Sequence, residues 1–163
     1  MEVQSEQPAD ECPAVTAQAV YATLVAAGDA SASVRVAAQQ QLQTWEQDAV
    51  PNFIGSLLQV VAEVSLIPED MRLFAAVVAK NAVGSSWRKT MGTREWSRVP
   101  DSEKTAVRRG TLRSLLCDPS ERVALQLSLL ASNLARFDAP DPWQALLPDL
   151  LAAAEQAFVP GGA

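Results

Sequence analysis

Three arginines stand near the start of helical apolar patterns, and each of these patterns follows another helical pattern. The three stretches are Ser33-Val34-Arg35-Val36-Ala37-Ala38, Met71-Arg72-Leu73-Phe74-Ala75-Ala76 and Glu121-Arg122-Val123-Ala124. A recurring unit of about 35 to 50 residues that contains two helices is typical of a helical solenoid. The arginines are 37 and then 50 residues apart, so the predicted repeat is irregular. A solenoid presents a surface to its partners, and the pattern therefore favours binding over catalysis.

The apolar periodicity divides the chain into antiparallel helix pairs and predicts an all-α fold. Repeat one is predicted over about 14–47, repeat two over 51–88, and a linker over 84–100 leads to repeat three. A further stripe of leucines near residues 146–151 predicts one more helix, whose partner helix is missing before the chain ends. We interpret 1–13 as a flexible leader, 14–157 as the folded domain and 158–163 as a flexible tail at a truncation point.

Several helix starts are marked by proline and capping residues. In Asp118-Pro119-Ser120-Glu121 the sequence predicts an N-cap at Asp118, a first-turn proline and an acid at the third helical position. Pro51 is predicted in the first turn of the helix that opens repeat two. Asp141-Pro142-Trp143 has the same form of start as Asp118-Pro119.

The net charge of −6 conceals an uneven distribution of charge along the chain. Residues 1–63 carry −7, residues 64–113 carry +5 and residues 114–163 carry −4. Opposed surface potentials of this kind can steer a charged partner, although a solvated mixed surface is equally compatible with them.

The composition argues against most catalytic and metal-dependent chemistry. The chain contains no histidine, which excludes Ser-His-Asp and Cys-His catalysis and histidine-based zinc sites. The stretch from Gly84 to Thr90 ends like a phosphate-binding loop, but Arg88 stands where that motif requires glycine before Lys89. Cys12 and Cys117 lack metal-ligand spacing, and no apolar run is long enough to cross a membrane. We therefore expect neither an enzyme nor a bound cofactor or metal, and no membrane insertion.

Four ordered motifs resemble the N-terminal domain of the importin-beta (karyopherin-beta) family. They are Ala38-x2-Gln41-Leu42-x2-Trp45-Glu46; Arg72-x2-Ala75-x4-Lys80-Asn81-x5-Trp87-Arg88; Trp96-Ser97-Arg98-Val99-Pro100-Asp101-Ser102-Glu103-Lys104; and Asp138-x-Pro140-x2-Trp143-x2-Leu146-Leu147-Pro148-Asp149-Leu150-Leu151. Together they cover roughly residues 15–155. The segment from Gln40 to Glu46 and the Trp87-Arg88-Lys89 stretch most resemble sequences of the importin eleven branch of this family.

This resemblance implies a HEAT-repeat-like right-handed α-solenoid of about three and a half repeats. It also implies the N-terminal part of a nuclear transport receptor, whose second, inner helices bind the GTP-bound small GTPase Ran. Cargo proteins and nucleoporins would be partners of the full-length receptor, largely through repeats that this chain lacks. The implied location is the cytoplasm and nucleus, including the nuclear envelope or pore.

The resemblance also suggests individual site residues. Lys80 and Asn81 match a Lys-Asn pair on the family's second inner helix, and we expect them to contact Ran, with Gln41 and Glu46 as weaker candidates. For Lys80 the alternative is a solvated charge, and for Asn81 it is a hydrogen bond to a neighbouring backbone. The three arginines, Arg35, Arg72 and Arg122, are expected to stabilise the stacking of repeats.

Two other classes of function remain open at this point. A generic helical-repeat scaffold would bind partners without regard to the nucleotide state of a GTPase. A nucleic-acid-binding repeat would use the basic stretch 72–113, with Arg108, Arg109 and Arg113 on the solvent-exposed face of one helix. The acidic flanks make the nucleic-acid class the less favoured of the two.

Overall fold

The computed structural model describes residues 14–87, 89–91, 94–96, 99–138 and 143–158. The described helices, in chain order, are α1 Ala17–Ala27, α2 Ala32–Gln47, α3 Phe53–Ala62, α4 Glu69–Ser86, α5 Asp101–Cys117, α6 Glu121–Asp138 and α7 Leu146–Phe158. The first six form three consecutive pairs. The predicted leader, the tail from residue 159 and the Asp141-Pro142 helix start lie outside the described residues.

The helices pack in two layers that run along the chain. The first helices of the pairs, α1, α3 and α5, contact one another in order, and the second helices, α2, α4 and α6, form the other layer. Each helix also packs against its own partner. This arrangement confirms the predicted all-α helical-repeat solenoid.

One continuous apolar core lies between the two layers. Its fully buried members come from every pair, including Leu24 of α1, Leu57 of α3 and Leu127 of α6. Trp143 is also buried, and Leu146 and Leu150 of α7 pack against the same core. The i, i+3, i+4 spacing that predicted the helices coincides with the buried faces of α3 and α6. In the predicted leucine stripe, by contrast, Leu147 and Leu151 are exposed.

The connection between the second and third pairs differs from the predicted linker. Helix α4 continues to Ser86 and is capped by Trp87, so Gly84 lies inside the helix and not in the linker. Strands β1 (Lys89–Met91) and β2 (Arg94–Trp96) then pair antiparallel, with Lys89 opposite Trp96. Short pairs of this kind carry little apolar periodicity, which is why the sequence did not reveal them.

Two predicted helix starts are shifted in the structure. Pro51 lies in the turn before α3, because Asn52 adopts a left-handed backbone with φ of 64° and the helix begins at Phe53. At the start of α6, the hydroxyl of Ser120 accepts the backbone N–H of Val123, and Ser120 is thus the N-cap in place of Asp118. The Asp118 carboxylate instead accepts the Ser120 N–H at 2.9 Å.

Candidate protein-binding surface

The layer formed by α2, α4 and α6 carries the residues that were expected to bind a partner. Lys80 of α4 is half-buried, and its Nζ donates to Oε1 of Gln126 on α6 at 3.0 Å. Asn81 follows it on the exposed side of α4. The lysine is therefore oriented by the neighbouring repeat, while the asparagine is open to solvent.

Glu46 and Gln41 both lie on α2, but their surroundings differ. The hydroxyl of Ser85 on α4 donates to Oε1 of Glu46 at 2.7 Å, and the same hydroxyl lies 3.3 Å from the backbone oxygen of Asn81. Glu46 is thus joined to the α4 surface that carries Lys80 and Asn81. Gln41 is exposed one turn earlier on α2, and no described contact links it to the other three.

Arg72 makes a buried ion pair between the second and third repeats. Its guanidinium is 4% exposed and binds the carboxylate of Asp118, which is 1% exposed. The same Nη1 lies 3.5 Å from the backbone oxygen of Val61 at the end of α3. One side chain therefore contacts α3 of its own repeat and the α5–α6 turn of the next.

Arg35 and Arg122, the other two arginines of the recurring pattern, are more exposed than Arg72. Nη1 of Arg122 on α6 lies 3.4 Å from Glu69 and 3.2 Å from Asp70, both at the start of α4. Nη1 of Arg35 donates to the backbone oxygens of Asp29 and Ala30 at 2.8 and 3.2 Å. The described hydrogen bonds of Arg35 stay within the first helix pair, and its stacking role remains a prediction.

A second buried polar cluster surrounds Trp87. Oδ2 of Asp138 accepts the indole N–H at 2.8 Å and Nε of Arg108 at 2.9 Å, and it also lies 2.8 Å from Nη2 of Arg108. The Lys104 ammonium lies 5.6 Å from the centre of a Trp87 ring, within cation–π range. The cluster joins the ends of α4 and α6 to α5. Asp138 and Trp87 both belong to the sequence motifs, but the sequence did not predict that they pair, because they are 51 residues apart.

These ion pairs bear on the nucleic-acid hypothesis. Arg72 and Arg108 are both used in buried pairs with carboxylates, and the side chain of Arg108 is only 12% exposed. Arg109 and Arg113 are exposed on α5, in the other layer from Lys80. The described part of the basic stretch therefore does not form the single cationic face that nucleic-acid binding requires.

One carboxyl group with a shifted pKa links α3 to α5. Burial raises the pKa of Glu103, partly offset by hydrogen bonds from the backbone of Asn52 and Gly55. The Asn52 N–H donates to Oε2 of Glu103 at 3.0 Å. Glu103 thus caps the start of α3 from the neighbouring repeat, a structural role that its place in a motif did not indicate.

A wide cleft of about 560 Å³ lies in the other layer, between α3 and α5. Glu63 and Arg113 lie on its polar part and Leu58 on its apolar part. Within the described ranges, no cluster of three or more histidine, cysteine or acidic side chains could hold a metal ion. None of the described helices combines the length and the apolar character needed to cross a membrane.

The motif residues fall into two groups by burial. Ala75, Trp87 and Trp143 are buried, so packing, together with the hydrogen bond from Trp87 to Asp138, accounts for these residue types. Lys80 and Asn81 are outside the core, and packing does not account for them.

Comparison with known proteins agrees with the motifs. Residues 38–116 match the importin-beta N-terminal domain. The chain is 27% identical to human Importin-11 over 132 residues, which are 81% of this chain and 13% of that protein. It is 30% identical to the importin-alpha re-exporter of Schizosaccharomyces pombe over 115 residues, 70% of this chain and 11% of that protein. Exportin-2 of Dictyostelium discoideum is 26% identical over 141 residues, 86% of this chain and 14% of that protein.

The chain thus spans only 11 to 14% of the length of these relatives. The segment matched by the domain contains the second helix pair and nearly all of α5, including Arg72, Lys80 and Asn81, whereas Asp118 and α6 lie beyond it. The family match and the helical-repeat fold agree with the resemblance seen in the four motifs. Residues 38–116 of the chain thus match the N-terminal domain of the importin-beta family, and the chain is similar in sequence to importins and exportins.

Proposed function

We propose that this chain is the Ran-GTP-binding N-terminal part of a nuclear transport receptor, and that it acts by binding, without catalysis. The observation that carries the proposal is the position of Lys80 and Asn81. They belong to a family motif, lie outside the core and share the second-helix layer with Glu46. The family match supports the transport role, and the partner is proposed from these residues.

The geometry gives each residue a part in recognition. Lys80 is held by Gln126 in a hydrogen bond that leaves its positive charge available, so it can pair with a carboxylate of the partner. Asn81 can donate and accept hydrogen bonds at the same place. Glu46, held by Ser85, borders this surface and can receive a basic group. Gln41 would extend the contact along α2.

The other expected partners and the location follow from the same proposal. Cargo proteins and nucleoporins would bind the longer receptor, and the receptor would move between cytoplasm and nucleus. Within this chain, Arg72 and Arg122 would stabilise the surface indirectly, because both connect α4 or its repeat to the third repeat.

The test compares binding of this chain to immobilised Ran loaded with a non-hydrolysable GTP analogue or with GDP. We expect retention by the GTP form only, and Lys80→Glu should weaken it about tenfold or more because a repulsive charge replaces an attractive one. Arg113→Glu makes the same charge change on exposed α5 and should bind like the wild type. Equal retention by both nucleotide forms would favour a generic scaffold, and no retention by either would contradict the proposal.

A further inference from the structure

Gly84 is an exposed glycine within the regular helix α4. Glycine is less favourable than alanine inside a helix, since it has more backbone freedom to lose on folding. A glycine in this place therefore lowers stability, unless some contact needs the space that a side chain would take.

No contact within the described chain needs that space. A Cβ atom added to Gly84 would meet no heavy atom within 4 Å. Gly110 on α5 differs in this respect, because a Cβ there would touch Leu58 at 3.5 Å, an ordinary packing distance. Among the described residues, the space above Gly84 is therefore open, and it is wide enough for a partner molecule to approach the helix backbone.

The neighbours of Gly84 are the residues of the proposed binding surface. Lys80 and Asn81 precede it by four and three residues, so the three positions form one ridge along α4. The described partner of Lys80 is the neutral amide of Gln126. Among the described residues Lys80 makes no ion pair, and its charge therefore lacks a carboxylate that a partner could supply.

We propose that Gly84 is the point where the backbone of α4 directly touches the bound GTPase, and that a carboxylate of the GTPase pairs with Lys80 beside it. This inference rests on the proposed function and adds a specificity-determining position to it. A bare helix backbone lets the partner approach more closely than any side chain would allow. The missing Cβ thus sets the distance at which Lys80 and Asn81 meet their partners.

Two glycine-to-alanine variants separate this role from a general effect on the helix. Gly84→Ala and Gly110→Ala both replace a helical glycine without a clash, and each should raise Tm by about 2 to 4 °C. Only Gly84→Ala should weaken binding to Ran loaded with the GTP analogue, by at least about fivefold, because an added carbon forces closely packed atoms apart. Gly110→Ala, in the other layer, should bind like the wild type.

The possible results distinguish this inference from the function on which it rests. If Gly84→Ala is more stable and binds as well as the wild type, while Lys80→Glu binds weakly, the role of Gly84 is wrong and the binding surface stands. If both alanine variants lose affinity equally, the effect is not local to Gly84 and the inference also fails. If the wild-type chain does not bind the GTP-loaded form, the proposed function and this inference fall together.

Discussion

The arrangement of the buried charged side chains in this domain is explained by the free-energy cost of burying a charge. Arg72, Arg108, Asp118 and Asp138 are largely removed from water, and each faces an opposite charge. An unpaired charge in such a place would be strongly unfavourable, so the pairs are tolerated only because both partners are present. Glu103 is a less complete case, since it is half-buried and its partners among the described residues are backbone N–H groups.

The raised pKa of Glu103 predicts a pH effect on stability. Because burial raises the pKa above its unfolded value, the folded chain holds this proton more tightly than the unfolded chain. The stabilisation that protonated Glu103 contributes is therefore complete below its pKa in the unfolded chain, and it is lost as the pH rises through its pKa in the folded chain. Glu103→Gln removes this dependence, so the Tm of the wild type relative to the variant should fall between about pH 4 and pH 7.

Thermal melts of both proteins over this pH range measure the effect. Glu121→Gln, on the exposed first turn of α6, controls for the loss of one negative charge. If the Tm of the wild type minus the Tm of Glu103→Gln stays constant or rises with pH, the assignment is contradicted.

Among the helices, contacts between neighbouring repeats are of two kinds. Apolar side chains form most of each interface, and a few polar side chains join particular turns, as Arg72 joins α4 to the α5–α6 turn. Apolar packing tolerates small shifts along a helix, whereas a buried ion pair requires one arrangement. We therefore expect Arg72 to determine how the second and third repeats are aligned.

The stability of variants can test this difference between arginines. Arg72→Met should cost about 3 to 5 kcal/mol because it leaves Asp118 buried without its partner. Arg122→Met removes an exposed pair and should cost about 1 kcal/mol or less. Urea denaturation gives both values, and adding Asp118→Asn to Arg72→Met should recover part of the loss. Equal costs for the two methionine variants would show that Arg72 has no special role.

At the scale of the whole molecule, the described helix pairs share one core, although the fold is built from repeats. Leu24 in the first pair and Leu127 in the third belong to one connected cluster of buried side chains. Three helix pairs are few for a solenoid, and none of them buries its apolar face without a neighbour. We therefore expect the described repeats to unfold together.

Leu24→Ala and Leu127→Ala test this cooperativity from opposite ends. Each should cost about 2 to 5 kcal/mol, since each removes a fully buried leucine side chain. Both should shift the same single transition in denaturation followed by circular dichroism and tryptophan fluorescence. Two transitions, each sensitive to only one substitution, would contradict a shared core.

Local patterns in the chain were enough to predict the helices, their pairing in order and the family resemblance. The 3.6-residue period of apolar side chains is a short-range property, and it reflects which face of each helix is buried. The same patterns placed Lys80 and Asn81 late in α4, and the structure has them there.

The pairings between distant side chains depended on how the helices stack. Arg72 with Asp118 and Trp87 with Asp138 are 46 and 51 residues apart, and Glu103 caps Asn52 across 51 residues. Nothing in the local sequence distinguishes these residues from solvated charges or ordinary capping groups. Only when α4, α5 and α6 are packed together do the low dielectric and the limited space between repeats leave each charge with one available partner.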